Sequence, residues 1–152
     1  MGPLWGSRAA IEAFRAQGGG GDLAFTASLS GLGPVPGLSV YAATKAAVLS
    51  LASALSHELR ADGIRVHAVN PDGADTALLH DMEENARALV RSGVLISPER
   101  AAAELVGMFG TRRVYRTVPA WRGAMMRLSA LAPGPLLHAV PVMRAIGARK
   151  SR

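Results

Sequence analysis

A tyrosine and a lysine four residues apart are the most informative side chains in this sequence. Tyr41 and Lys45 stand at the start of a stretch with helical periodicity, so a helix would place both side chains on one face. An ammonium beside a phenol stabilises the phenolate, which lets the hydroxyl exchange a proton with a substrate oxygen near neutral pH. The pair predicts a tyrosine general acid/base with a lysine that tunes it.

Ser28 follows a short apolar segment and precedes Tyr41 by thirteen residues. Its hydroxyl could donate a hydrogen bond to the same substrate oxygen that exchanges a proton with Tyr41. The three side chains together could perform the proton transfer of a carbonyl reduction, while the hydride would require a nicotinamide cofactor. Each residue alone has a simpler interpretation, because serines often cap strand ends and a Tyr-x-x-x-Lys spacing is common on helices.

Turn residues divide the chain into helices that alternate with strands. Strands are predicted over 22–26, 64–69 and 113–118, and helices over 7–17, 39–61 and 97–109, with a loop at 28–38, a mobile, partly helical segment at 76–95 and two short C-terminal helices split by Pro133-Gly134-Pro135. The apolar stripe of the longest helix is Ala47, Val48, Leu51, Ala54, Leu55 and Leu59. This alternation predicts an α/β fold with a parallel sheet of about three strands.

The stretch from Ala27 to Thr76 closely resembles the short-chain dehydrogenase/reductase family. The resemblance is carried by Ser28, by the Tyr-Ala-Ala-Thr-Lys motif in an alanine-rich helix, by the Gly-Ile-Arg-Val strand and by a proline turn that ends at Thr76. It implies an NAD(P)-dependent oxidoreductase that interconverts a carbonyl and an alcohol on a Rossmann-type doubly wound sheet.

The resemblance also implies a role for each residue of the motifs. Tyr41 would be the general acid/base, Lys45 would bind the cofactor ribose, and Ser28 with Tyr41 would bind the substrate oxygen. The family usually has glycine where this chain has Asp72, which leaves open whether the nicotinamide can approach as closely. The implied cofactor contacts are Tyr41, Lys45, Pro71, Gly73, Ala74 and Thr76.

The glycine-rich turn that holds the cofactor pyrophosphate in this family does not occur in the sequence. The resemblance therefore implies that residues 1–152 are a single truncated Rossmann-like domain, with its N-terminal half missing and the serine strand at an open edge. The segment Gly31-Leu32-Gly33 is no substitute, because Pro34 prevents it from leading directly into a helix. NAD or NADP is expected as cofactor, and the chain alone could be inactive.

The net charge of +6 is concentrated at the C-terminus, because residues 105–152 hold nine basic and no acidic side chains. Residues 119–152 form a basic and apolar helical extension, which could contact an anionic membrane surface or pack on the domain or a dimer mate.

The absence of cysteine excludes disulfides, and the four histidines lack metal-ligand spacing. Without a signal peptide or a long apolar run, a cytoplasmic location is expected.

Two classes of function remain open at this point. The first is the oxidoreductase, with a small carbonyl or alcohol substrate, no nucleic acid partner and no metal. The second is a non-catalytic remnant that serves as an interaction or dimerisation module. The 39–61 helix resembles the dimerisation helix of the family, which predicts a homo-oligomer if the protein is complete and pairing with an intact relative if it is a remnant. The substrate cannot be identified from the sequence.

Overall fold

The computed structural model describes residues 1–74 and 76–150, and in it three strands form one parallel sheet. The strands are β1 (Gly21–Thr26), β2 (Ile64–Pro71) and β3 (Tyr115–Val118), in the order β1-β2-β3. The helices are α1 (Gly2–Ala16), α2 (Ser39–Glu58), α3 (Ala77–His80), α4 (Glu84–Ser92), α5 (Pro98–Val106), α6 (Ala120–Leu131) and α7 (Pro133–Arg149), with a 3₁₀ turn at Leu29–Leu32. The predicted α/β class with three parallel strands is confirmed.

The core lies between the sheet and helix α2. Strand β2 is flanked on both edges and most of its side chains are buried, as apolar strands of parallel sheets are. Helix α2 packs on the sheet through Leu49, Ala52 and Leu55. The predicted stripe was wrong for Ala47 and Ala54, which are exposed, because the buried face is turned toward other alanine and leucine positions of this largely apolar helix.

Several element boundaries agree with the local signals and others differ. The hydroxyl of Ser97 accepts a hydrogen bond from the Arg100 backbone N–H at 3.2 Å and Pro98 begins α5, as predicted. Asn70 and Pro71 were expected in a turn but are the last residues of β2, because the pairing with β3 extends the strand to Pro71.

Helices α6 and α7 pack on the domain, which is one of the alternatives for residues 119–152. Their inner faces bury Met126 and Val140, and Gly147 brings α7 so close to α4 that an added Cβ would overlap the carbonyl of Ala88. The predicted split between two helices is confirmed, since α6 ends at Leu131 and Pro133 is the first residue of α7. No helix in the described part of the chain is long and apolar enough to cross a membrane, and contact with a membrane surface stays a prediction.

A charged network joins the three strands near their amino ends. The carboxylate of Asp22 on β1 accepts two hydrogen bonds from Arg65 of β2, both at 2.8 Å, and one from the backbone N–H of Gly110 at 3.0 Å. The imidazole of His67 is completely buried, with Nε2 2.8 Å from Asp22 Oδ1 and Nδ1 2.7 Å from the carbonyl oxygen of Arg113. The carboxylate therefore connects β1, β2 and the segment that leads into β3.

We expect Asp22→Asn to lower the free energy of unfolding by about 1–3 kcal/mol, because Arg65 and His67 lose a charged acceptor. The pKa of Asp22 lies well below its ordinary value of 3.8, chiefly because Arg65 donates to its carboxylate. The carboxylate therefore stabilises the fold fully above about pH 4, and this contribution is lost as the pH falls further. Urea unfolding of the wild type and Asp22→Asn, measured above and below about pH 4, should give a difference in the free energy of unfolding that shrinks as the pH falls.

The matched control is Asp62→Asn, which removes the partner of Arg15 from an ion pair on the surface. Exposed ion pairs contribute about 0–1 kcal/mol, so this variant should unfold nearly as the wild type does at every pH. Equal decreases in the free energy of unfolding for Asp22→Asn and Asp62→Asn would show that the network around Asp22 contributes no more than a surface ion pair.

Candidate active site

The carboxyl ends of the three parallel strands meet at one edge of the sheet, where open α/β sheets bind their ligands. The segments that follow the strands surround a cavity of about 290 Å³. All of the site residues predicted from the sequence line this cavity, namely Ser28, Tyr41, Lys45, Pro71, Gly73, Ala74 and Thr76. Residues from three separate parts of the chain are thus brought together.

The first turns of α2 carry Tyr41 and Lys45 to the cavity. The Lys45 Nζ atom lies 5.6 Å from the centroid of the Tyr41 ring and donates a hydrogen bond to the Thr26 carbonyl at 3.0 Å. Thr26 is the last residue of β1, so the ammonium is held against the end of the strand. Partial burial lowers the pKa of Lys45 below its ordinary value, so this side chain loses its charge at a lower pH than an exposed lysine does.

Ser28 combines a capping role with a place in the cavity wall. Its Oγ accepts hydrogen bonds from the Ser30 backbone N–H at 3.2 Å and from the Ser30 hydroxyl at 2.9 Å, at the start of the 3₁₀ turn. Because both bonds use lone pairs of the oxygen, the hydrogen of the Ser28 hydroxyl stays available as a donor. The buried Ser30 therefore orients Ser28, a contribution that spacing alone did not indicate.

The turn after β2 packs tightly against the segment between α4 and α5. The backbone N–H of Ile96 donates to the carbonyl of Gly73 at 2.8 Å, and Ala74 pairs with Ile96 in a short bridge. A Cβ at Gly73 would lie 2.7 Å from a methyl of Val90 and 2.8 Å from one of Leu95, so a larger residue would displace the turn. Close packing explains the glycine here.

Asp72 turns its carboxylate toward helix α6, where Arg122 neutralises it. The Arg122 Nε donates to Asp72 Oδ2 at 2.7 Å, and the Val94 backbone N–H donates to the same oxygen at 3.1 Å. The Arg122 side chain is only 10% exposed and the Asp72 side chain only 7% exposed. Asp72 has a negative φ, so the substitution for the family's glycine adds a buried, paired charge and no strained backbone.

The remaining walls of the cavity are apolar and come from four segments of the chain. The loop before α2, the α3–α4 region, α6 and α7 contribute Pro34, Val35, Pro36, Leu38, Leu79, Met82, Leu89, Val90, Met126, Val140 and Met143. Thioether side chains are flexible and fill irregular space, so the three methionines suit a cavity that adapts to its ligand. The C-terminal helices thus form part of the site, although the sequence predicted them only as an extension.

Residues 1–87, more than half of the chain, match the family model of the short chain dehydrogenases. The chain belongs to the short chain dehydrogenase family. The match includes the serine strand, the Tyr41–Lys45 helix and the turn after β2, so the resemblance predicted from these motifs is confirmed.

The curated relatives of this short chain dehydrogenase include a dehydrogenase and a reductase. The 4-formylbenzenesulfonate dehydrogenase TsaC1/TsaC2 of Comamonas testosteroni is 38% identical over 77 residues, which are 51% of this chain and 30% of that protein. The (S)-acetoin-forming diacetyl reductase of Staphylococcus aureus is 36% identical over 81 residues, which are 53% of this chain and 31% of the relative. The chain thus spans about a third of the length of the curated relatives it matches.

Solved short-chain dehydrogenases share the fold. A short-chain dehydrogenase from Streptomyces avermitilis superposes with a TM-score of 0.68 at 23% identity, covering 95% of this chain and 58% of that one. The 3-ketoacyl-(acyl-carrier-protein) reductase from Brucella melitensis, solved with NADH, gives a TM-score of 0.59 at 33% identity, covering 77% and 51%. A short-chain dehydrogenase from Sphingobium yanoikuyae, solved with NADPH, gives a TM-score of 0.65 at 25% identity, covering 87% of this chain and 50% of that one. The likeness to the Streptomyces avermitilis protein shows the fold alone.

Two residues of the short chain dehydrogenase site escaped the sequence analysis. Arg122 was counted only within a basic extension, and Ser30 was part of a loop. The sequence does not show that Asp72 is buried, and nine basic residues in the last third of the chain could have paired with it. The partner lies fifty positions away, so only the folded chain identifies it.

We expect Asp72→Ala to lower the free energy of unfolding by about 3–5 kcal/mol, because it leaves the buried guanidinium of Arg122 without a counter-charge. Asp72→Ala combined with Arg122→Met should recover most of this loss, since both buried charges are then removed. Urea unfolding followed by circular dichroism measures the three proteins. A loss in Asp72→Ala that the second substitution does not reduce would contradict a buried ion pair.

Proposed function

We propose that this short chain dehydrogenase interconverts a carbonyl and an alcohol, with Tyr41 as general acid/base and a nicotinamide dinucleotide as hydride carrier. The convergence of Ser28, Tyr41 and Lys45 on one cavity carries the proposal. The curated relatives are named as a dehydrogenase and a reductase, and two related structures contain NADPH and NADH. These names support the reaction class and a nicotinamide dinucleotide, and they leave the choice between NAD and NADP open.

A bound nicotinamide would supply the hydride for carbonyl reduction or accept it during alcohol oxidation. The Ser28 hydroxyl donates a hydrogen bond to the carbonyl oxygen and holds it near Tyr41. As the carbonyl π bond breaks and its electron pair moves to oxygen, the Tyr41 hydroxyl gives that oxygen its proton. The positive charge of Lys45 stabilises the phenolate that remains, and alcohol oxidation runs the same proton transfer in reverse.

The residues present fit the nicotinamide-ribose end of such a cofactor. The ammonium of Lys45 and the hydroxyls of Tyr41 and Thr76 line the cavity as hydrogen-bonding groups, and the Asp72 carboxylate, which would repel a phosphate, is paired with Arg122. Within residues 1–74 and 76–150, no strand leads through a glycine-rich turn directly into a helix N-terminus. The fit therefore extends to one end of the dinucleotide.

We expect Tyr41→Phe to lower the rate of ketone reduction by about a hundredfold to ten-thousandfold, because only the proton donor is removed. The assay follows ketone-dependent loss of NADH or NADPH absorbance at cofactor concentrations of about a millimolar, to allow for weak binding. Lys45→Ala should raise KM for the cofactor and lower kcat. A panel of aliphatic, aromatic and cyclic ketones covers the unknown substrate.

The control is Tyr115→Phe, since the chain has only two tyrosines. The Tyr115 hydroxyl donates to the Leu49 carbonyl at 2.8 Å within the core, so its loss should leave turnover unchanged. Wild-type rates in Tyr41→Phe would end the assignment of the general acid/base. No turnover by the wild-type chain with any ketone would favour the non-catalytic alternative.

We also expect the 152-residue chain to bind reduced nicotinamide mononucleotide about as tightly as it binds NADH or NADPH. Each charge-assisted hydrogen bond to the pyrophosphate or adenine end would add about 1.5–3 kcal/mol, and every 1.4 kcal/mol corresponds to a tenfold change in affinity. Calorimetric titration compares the three ligands directly. Lys45→Met should weaken the binding of all three ligands equally, since Lys45 would contact the nicotinamide-ribose end that they share.

Saturable binding of NADH at micromolar concentration, together with much weaker binding of the mononucleotide, would contradict this expectation. That result would show that another segment or a second chain holds the pyrophosphate. The comparison does not require turnover, so it stays informative if no substrate has been found.

A further inference from the structure

Arg122 is a buried arginine whose hydrogen-bonding capacity is only partly used. Its guanidinium has five N–H donors, of which Nε pairs with Asp72. The partner of Nη1 is the thioether sulfur of Met125 at 3.9 Å, a weak acceptor, and the Trp121 ring centroid lies 5.6 Å from Cζ. In the described part of the chain no residue accepts a hydrogen bond from Nη2. Arg122 also lines the cavity that contains Ser28 and Tyr41.

The charges around the cavity favour an oxygen acceptor as the ligand of Arg122. The charged residues among those that line it are Lys45, Asp72 and Arg122. The Asp72 Oδ2 atom accepts hydrogen bonds from Arg122 and from the Val94 backbone N–H, and the guanidinium balances the charge of the carboxylate. Most other lining residues are apolar, which leaves the guanidinium as the polar group on the α6 side.

The strand order sets the distance between this group and the reacting centre. Ser28 follows β1 and Arg122 follows β3, with β2 between them. Neighbouring strands lie about 4.8 Å apart, so the two chain segments leave the sheet on the order of 10 Å apart. Both Ser28 and Arg122 line the cavity, so a ligand a few carbon atoms long is of the right size to contact both.

We propose that Arg122 is a substrate-recognition residue, and that its guanidinium, fixed by Asp72, donates hydrogen bonds to a second oxygen of the substrate. The inference rests on the proposed function, because it takes the reacting carbonyl to lie at Ser28 and Tyr41. The substrate class is then a ketone or alcohol with a carbonyl, ester or carboxylate oxygen a few carbon atoms from the reacting carbon.

The experiment compares two probes of equal size, methyl acetoacetate and 2-heptanone, by NMR titration of the wild-type chain and Arg122→Lys. Lysine keeps the positive charge beside Asp72 but lacks the forked donors. Arg122→Lys should weaken binding of the oxo ester about tenfold to a hundredfold, as expected for one lost hydrogen bond to a charged group, and binding of the simple ketone by less than about twofold. Arg116→Lys, which changes an arginine paired with Glu104, is the matched control and should alter neither affinity.

The Arg122 Nε resonance of the wild-type chain provides a second readout that does not depend on the stability of a variant. The oxo ester should shift this resonance, and 2-heptanone should leave it nearly unchanged. The proposal would be overturned if Arg122→Lys lowered the affinity for both probes equally. It would also be overturned if the oxo ester neither bound the wild-type chain more tightly than 2-heptanone does nor shifted the Arg122 Nε resonance. The titration contains no cofactor and requires no turnover, so a failure of the turnover assay would count against the proposed function without affecting this result.

Discussion

The parallel pairing of β2 with β1 and β3 is the constraint on which the rest of the structure depends. Parallel strands require crossover segments, so α2 must pass over the sheet and return the chain to its amino edge. The same pairing brings all three strand ends to one edge. Ser28, the turn after Pro71 and the start of α6 therefore meet at one cavity, although Ser28 and Arg122 are 94 positions apart in the sequence.

The two edges of the sheet differ in what their charged groups do. Near the amino ends of the strands, the Asp22 carboxylate is hydrogen-bonded to Arg65 and His67 and so connects β1 to β2. At the carboxyl ends, Asp72 and Arg122 connect the turn after β2 to a C-terminal helix, and both residues also face the cavity. The first network stabilises the fold far from the site, whereas the second couples the wall of the cavity to the turn expected to contact a cofactor.

Local signals in the sequence were sufficient for the elements and for the motif. The period of α2 places Tyr41 and Lys45 on one helical face, and Ser97 with Pro98 marks the start of α5, because these features depend on residues within one or two turns. The rotation of α2 about its axis was less well predicted. Its exposed alanines resemble its buried ones, so hydrophobicity alone does not separate the two faces.

The sequence by itself determined the fold class, the family and the candidate side chains Ser28, Tyr41 and Lys45, because each of these depends on residues that lie close together in the sequence. Only the tertiary structure decided how Asp72 is accommodated and how the C-terminal helices complete the site. The Asp72 carboxylate requires a cationic partner because it is buried, but the sequence shows neither the burial nor the partner, since nine basic residues of the last third could serve. Arg122 is selected because the parallel order of β2 and β3 starts α6 beside the turn that contains Asp72.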